Sequence, residues 1–144
     1  MAYSGKFNPK NPNKYLGDPT NIFWRSLWER RVMVHLDENP NIIGWSSEEL
    51  IIPYLSPVDN RWHRYFPDFF VKIKNKTGMI ESMVLEVKPK NQSAPPEKKS
   101  KITKRYITEV MTWGINEAKW KAAQEYCLDR NWKFQVITED HLGI

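Results

Sequence analysis

Four ionisable residues stand where packing alone would not place them. Asp68 follows a proline and precedes two phenylalanines, so a carboxylate lies inside a strongly apolar stretch. Glu86 and Lys88 end a second apolar stretch, and because strand side chains alternate, both point to the same face. Two carboxylates in an apolar setting repel each other unless a divalent cation lies between them. Mg²⁺ accepts such hard oxygen ligands and keeps positions for water and phosphate oxygens.

Lys88 and Glu29 extend this chemistry towards phosphodiester hydrolysis. Lys88 would hold its ammonium near the attacked phosphate and stabilise the charge of the transition state. Glu29 lies on a predicted helix and could complete the metal shell or orient the attacking water. Two simpler interpretations stay open: Glu86 and Lys88 could form a surface ion pair worth at most about 1 kcal/mol, and Glu29 could pair with a neighbouring arginine.

A β-hairpin is needed to bring Asp68 alongside Glu86, and the sequence predicts one. An aromatic and β-branched stretch from Arg61 enters the core at Pro67 and leaves it by Lys74. Residues 75–78 form a Gly-containing turn, and residues 79–87 return as the antiparallel partner. This pairing would place the two carboxylates next to each other.

The remaining elements predict an α/β fold. Asp18-Pro19 and apolar residues at three- and four-residue steps predict a helix over about 19–38, followed by short strands at 42–45 and 50–54. A second helix is expected from Tyr106 to about Arg130, interrupted or kinked near Gly114, and then a last strand over 132–138. We expect an α/β/α sandwich around a central mixed β-sheet.

Length and composition indicate one soluble domain. The chain has 144 residues, of which 40% are hydrophobic, which excludes disorder of the whole chain. We expect residues 1–20 to be an extended arm that contributes no core element and residues 20–144 to form the domain. The single Cys127 excludes a disulfide framework and a multi-cysteine zinc site, and the three histidines have no metal-ligand spacing. With no long apolar run or signal peptide, the chain is expected to be intracellular.

The positive charge is concentrated in one segment. The chain has a net charge of +5, whereas residues 88–105 alone hold seven basic residues and one acid. Because this segment is rich in proline, serine and lysine, we predict a flexible basic loop at 89–105 that binds a polyanion, although it could also be a merely solvated loop. The candidate DNA-binding residues are Lys90, Lys98, Lys99, Lys101, Lys104 and Arg105.

These residues resemble the pattern of the PD-(D/E)xK nuclease superfamily. Pro67-Asp68 is followed eighteen residues later by Glu86-Val87-Lys88, and Glu29 matches the upstream helical acid. The wider pattern is similar to the TnsA-like endonuclease core, a restriction-endonuclease-like fold, and within it to the head-completion nucleases of T4-type tailed bacteriophages. The segments that carry the wider resemblance are 26–29, 65–71, 85–89, 119–126 and 134–139.

The resemblance implies an activity, a cofactor and partners. It implies a Mg²⁺-dependent deoxyribonuclease, with Mn²⁺ as a substitute, that cleaves packaged phage DNA endo- and exonucleolytically during head completion, before head–tail joining. Asp68, Glu86 and Glu29 would be metal ligands and Lys88 the catalytic lysine. The implied partners are double-stranded DNA and phage head, portal or neck proteins, with no membrane and no small-molecule cofactor. The protein would act in the host cytoplasm at assembling heads, or stay in the virion.

Two other functions remain compatible with the sequence. The chain could be a non-enzymatic assembly protein that docks on DNA or a portal, with purely structural acids. It could also be a junction or repair nuclease on the same core, because a fold does not determine its substrate.

Overall fold

The computed structural model describes residues 4–143. In chain order the elements are β1 (Gly5–Lys6), β2 (Phe23–Trp24), α1 (Leu27–Glu38), β3 (Ile42–Ser47), β4 (Ile52–Leu55), β5 (Trp62–Tyr65), β6 (Phe69–Lys74), β7 (Ile80–Val87), α2 (Lys104–Asp129), β8 (Lys133–Ile137) and α3 (Glu139–Leu142).

The central sheet is mixed and has the strand order β3-β6-β7-β8. β6 pairs antiparallel with β3 and β7, whereas β8 runs parallel to β7. The predicted hairpin of β6 and β7 is present, with Phe69 opposite Leu85, and Gly78 in its turn has φ 83°. Glycine adopts this conformation without steric cost.

The two faces of the sheet are covered by different helices. On one face, Val32, Met33 and Leu36 of α1 pack in a buried cluster with Trp45 and Phe69. The cluster on the α2 side is formed from other residues, namely Trp120 and Ala123 of α2 with Ile52, Tyr54 and Tyr65 of the β4–β5 hairpin. The predicted α/β/α sandwich around a mixed sheet is therefore confirmed.

The first helix begins later than the sequence analysis predicted. It starts at Leu27, not near residue 19, and the preceding Phe23–Trp24 forms a short strand. The carboxylate of Asp18 accepts hydrogen bonds from Thr20 N and Oγ1 at 3.0 and 2.6 Å, so it closes a local turn. Ser26 caps the helix, because its Oγ accepts from Glu29 N at 3.1 Å.

The predicted long strand around Pro67 is two strands. β5 pairs with β4 in a separate hairpin, and the chain then passes Phe66, Pro67 and Asp68 before β6 joins the central sheet. Proline has no N–H for a sheet ladder, which accounts for the break at this point. The prediction that the core strand begins near Pro67 is correct, but the β4–β5 hairpin was missed.

The C-terminal half differs from prediction mainly at element ends. α2 runs without interruption from Lys104 to Asp129, so the predicted interruption at Gly114 is wrong, and Lys104 and Arg105 lie on the helix and not in the loop. Asn131 follows the helix with φ 58°, as expected for a residue that ends one. The short α3, capped by Thr138, was not predicted. No helix within residues 4–143 has the length and apolar character needed to span a bilayer.

The N-terminal segment contributes to the core, contrary to our expectation. Phe7 is 7% exposed and Tyr15 6%, and both pack edge-on against Trp45, with ring centroids 5.8 and 4.8 Å away. The segment is anchored to α1, because the buried carboxylate of Asp37 accepts hydrogen bonds from the backbone N–H groups of Lys10 and Asn11 at 2.8 and 3.0 Å. The division of the chain at residue 20 stays a prediction.

We expect Phe7→Ala to lower the free energy of unfolding by about 3–5 kcal/mol, because it removes a buried ring next to Trp45. Phe23, which is 50% exposed, provides the matched control, and Phe23→Ala should cost less than about 1 kcal/mol. Urea denaturation of both variants measures the difference. If Phe7→Ala lowered the free energy of unfolding as little as Phe23→Ala does, the N-terminal segment would not pack on the core.

Candidate active site

The β6–β7 hairpin brings Asp68 next to Glu86. Val87 N donates a hydrogen bond to Asp68 Oδ2 at 2.7 Å, and Asp68 N donates to Glu86 Oε1 at 3.3 Å. The carboxylate of Asp68 therefore accepts from β7, and that of Glu86 accepts from the backbone just before β6. The predicted proximity of these two residues is present.

Glu29 reaches the same place from the start of α1. Its carboxylate accepts hydrogen bonds from Ser26 Oγ at 3.3 Å and from Arg25 N at 3.4 Å. These contacts form part of the helix cap and hold the side chain at the helix N-terminus. One carboxylate oxygen of Glu29 lies within 4.8 Å of an Asp68 oxygen.

Glu48 is a third member of this acidic cluster, and sequence reasoning missed it. One oxygen each from Glu29, Glu48 and Asp68 lie within 4.8 Å of one another. Glu48 follows β3 with φ 55°, and its N–H donates to Asp68 O at 3.2 Å. Arg25 also binds the Glu48 carboxylate, from Nε at 2.9 Å and Nη2 at 3.0 Å. Because a turn creates this arrangement, no residue spacing in the sequence indicates it.

Glu86 and Lys88 stand beside the cluster. Glu86 is 6% exposed and contacts Asp68, but it is not in the group of three acids found within residues 4–143. Lys88 is half-buried, and its N–H donates to Ile137 O of β8 at 2.9 Å. The positive charge of Lys88 opposes the rise that burial causes in the pKa values of Glu86 and Asp68.

Burial raises the pKa values of the acidic residues. Burial, together with the charge of Asp68, raises the pKa of Glu29 to about 7. The pKa of Asp68 lies well above its usual range because the group is buried and faces Glu86. Burial also raises the pKa of Glu86, although Lys88 opposes the effect. Ionising these acids together is therefore unfavourable in the protein alone.

This donor set fits a hard divalent cation. The facing atoms are carboxylate oxygens only, and their closeness is unfavourable without a positive charge between them. Mg²⁺ binds through a few carboxylates and leaves its other positions to water and phosphate, whereas soft metals prefer thiolate or imidazole. Glu29, Glu48 and Asp68 are the residues that could hold it.

The predicted DNA-binding residues divide into two groups. Lys90 Nζ pairs with Asp140 at 3.0 Å, and Arg105 Nε pairs with Glu109 at 3.2 Å. The other four are exposed and form no salt bridge within the described part of the chain; they are Lys98, Lys99, Lys101 and Lys104. These four lysines are therefore available to an anionic ligand.

The mixed sheet between two helical layers, with acids and a lysine at the end of its central hairpin, is the architecture of a restriction-endonuclease-like nuclease. The chain belongs to the TnsA-like endonuclease family: residues 39–139 match the family described as TnsA-like endonuclease N terminal. It is 44% identical over 146 aligned positions to the head completion nuclease of Enterobacteria phage T4, covering 99% of this chain and 95% of that protein. The matched family range includes Glu48, Asp68, Glu86 and Lys88, whereas Glu29 precedes it.

The raised pKa of Glu29 makes stability depend on pH. Between the unfolded value of 4.5 and the folded value of about 7, the native state binds more protons, so this contribution to stability is lost as pH rises. We therefore compare the free energy of unfolding of Glu29→Gln with that of wild type in EDTA. The difference, variant minus wild type, should be more positive at pH 8 than at pH 5 by about 1 kcal/mol after allowance for solvent screening. Urea denaturation at both pH values measures it. The exposed Glu117→Gln is the matched control, and equal behaviour of the two variants would contradict the prediction.

Proposed function

We propose that the protein is a Mg²⁺-dependent DNA nuclease, with Mn²⁺ able to substitute, that hydrolyses phosphodiester bonds both endo- and exonucleolytically. The observation that carries the proposal is the group of three carboxylate oxygens within 4.8 Å, beside the half-buried Lys88. Membership of a nuclease family supports the reaction class. The finer assignment of metal and cleavage mode rests on the donor chemistry described above.

The acids and the lysine would divide the work of hydrolysis. Mg²⁺, when bound, supplies a Lewis acid that polarises the scissile phosphate and activates water for attack. Asp68, Glu86 and Glu29 would hold the cation, with Glu48 as a further carboxylate next to Glu29 and Asp68. Lys88 would stabilise the negative charge that develops on the phosphate, because the end of β7 places this positive residue next to Glu86 and Asp68. Glu86 would orient the Lys88 ammonium through charge attraction.

The free lysines after Lys88 would bind the phosphate backbone. Four exposed lysines lie in the loop after β7 or at the start of α2, namely Lys98, Lys99, Lys101 and Lys104. Each lysine that neutralises a phosphate releases a counterion, which gives affinity that depends on salt and little on base sequence. We propose that this basic segment is flexible without DNA and closes over the backbone on binding.

The named relative supports a proposal for the place of action. The T4 protein is a head completion nuclease, and the similarity extends over almost the whole of both chains. We therefore propose that this protein cleaves packaged phage DNA during head completion, before head–tail joining. Its partners would then be double-stranded DNA and head, portal or neck proteins, at assembling heads in the host cytoplasm or in the virion.

Cleavage of supercoiled and linear DNA in Mg²⁺ tests the nuclease proposal. Wild type should cleave both, and Lys88→Ala should lower the rate by about 10²–10³-fold, because it removes a charge that stabilises the transition state. The exposed Lys121→Ala on α2 is the matched control and should cleave at the wild-type rate.

Three outcomes would contradict parts of this assignment. If folded Asp68→Ala cleaved DNA at the full rate, the proposed metal site would be excluded. DNA binding without metal-dependent cleavage by wild type would favour a non-enzymatic assembly protein. Much faster cleavage of branched than of linear DNA would favour a junction or repair nuclease.

Metal binding can be measured separately from cleavage by thermal unfolding. MgCl₂ should raise the melting temperature of wild type by several degrees, since a ligand at 100 times its Kd stabilises the native state by about 2.7 kcal/mol. Glu48→Gln should lose most of this shift, whereas the neighbouring exposed Glu49→Gln should keep it. Arg25→Ala breaks the ion pair of Glu48 but keeps the carboxylate, so it should retain a shift. Equal shifts in both glutamate variants would show that Glu48 is not a ligand.

A further inference from the structure

A cavity lies between the loop that follows β7 and the first half of α2. It is lined by residues within 91–99 on the loop side and within 105–116 on the helix side, and its volume is about 660 Å³. Cavities of this size hold small organic ligands. None of the acidic residues of the candidate metal site lines it.

The helix side of the cavity offers a rigid aromatic surface. Trp113 is half-buried and packs edge-on against the buried Trp120, with ring centroids 5.8 Å apart and an interplanar angle of 78°. Trp120 belongs to the core between α2 and the β4–β5 hairpin, so the tryptophan pair is fixed by the fold. On the loop side, Pro95 and Pro96 line the cavity with conformationally restricted rings. A flat aromatic ligand suits such walls.

A side-chain amide also lines the cavity. Asn116 is 7% exposed as a residue, and within residues 4–143 its side chain makes no hydrogen bond. Its amide atoms are not among the fully buried polar atoms left without a partner, so they remain accessible to a molecule in the cavity. An adjacent donor and acceptor are what the polar edge of a nucleobase can satisfy.

The charges of the lining favour a base over a phosphate. Lys99 and Arg105 are balanced by Glu97 and Glu109, so the lining has no net charge. A phosphate would be bound better outside the cavity, where Lys98 and neighbouring lysines are exposed. The neutral, aromatic and amide-lined interior is suited to the uncharged part of a nucleotide.

The loop wall of the cavity is close in sequence to the end of β7. Asn91 lines the cavity and follows Lys88 by three residues, so their Cα atoms are at most about 11 Å apart. A DNA strand bound at Lys88 can therefore place a neighbouring nucleotide in the cavity. A fully paired duplex cannot do so without the cost of unstacking a base, which is lower at an unpaired end.

We propose that this cavity binds one unstacked nucleobase of an unpaired DNA strand, stacked on Trp113 and hydrogen-bonded to Asn116. The proposal rests on the proposed nuclease function and adds a substrate class to it, namely DNA ends with an unpaired nucleotide. The surrounding lysines bind the phosphates of the same strand, and the cavity binds the base itself.

Binding of labelled oligonucleotides to full-length Lys88→Ala in EDTA tests the proposal without cleavage. Three duplexes are compared at one salt concentration by fluorescence anisotropy: a blunt duplex, the same duplex with a three-nucleotide overhang, and the same overhang with abasic sugars. The normal overhang should bind about tenfold more tightly than both other duplexes, because only it presents bases. Equal binding of normal and abasic overhangs would overturn the proposal, since the phosphates alone would then account for the affinity.

A second variant in the same background tests the residue assignment. Asn116→Ala should reduce the preference for the normal overhang and leave blunt-duplex affinity unchanged, while the exposed Gln124→Ala on the same helix should keep both. Retention of the full preference by a folded Asn116→Ala would exclude this cavity. If that variant does not fold, quenching of 2-aminopurine in the overhang by wild-type tryptophan decides, and an unchanged emission would overturn the proposal. Cleavage by wild type in Mg²⁺ is scored separately, so the nuclease function can stand when the base pocket fails.

Discussion

The half-buried carboxylate of Asp68 is the group on which the site depends. The Val87 N–H binds its Oδ2 at 2.7 Å and fixes it against β7, while Glu29 and Glu48 approach it from α1 and from the end of β3. Three separate chain segments therefore converge on one carboxylate. The repulsion between these acids opposes folding, and the surrounding packing must compensate for it.

That compensation comes from the two buried clusters on either side of the sheet. One cluster anchors α1 through Met33 and Leu36, and it extends to Phe7 and Tyr15 of the N-terminal segment. The other joins α2 to the β4–β5 hairpin and includes Tyr65, which lies next to Glu86 in the site. These two clusters hold together acids that would otherwise separate. Functional sites commonly hold ionisable groups in such unfavourable surroundings.

Local sequence patterns predicted the parts of the site that one hairpin creates. Alternating strand residues and a Gly-containing turn were enough to place Asp68 beside Glu86, because strand pairing and register follow from short-range geometry. Glu48 could not be found in this way, since its position depends on a left-handed turn and on contacts with residues about twenty positions away. The start of α1 was misplaced because Asp18 and Ser26 both resemble caps, and only their hydrogen bonds distinguish them. The buried Phe7 and Tyr15 stand in a polar segment without periodicity, so nothing local marked them as core residues.

The parallel pairing of β7 with β8 has a consequence for the order of folding. Lys88 N is bonded to Ile137 O, and these two residues are separated by the whole basic segment and α2. The acids of the hairpin can meet early, because they are close in sequence, but the strand end that carries Lys88 is fixed only after β8 has been synthesised and docked. During its synthesis the chain would therefore pass through a stage with the acidic cluster assembled and the lysine still free. Since the proposed mechanism needs Lys88 in place, the site would be complete only once β8 had joined the sheet.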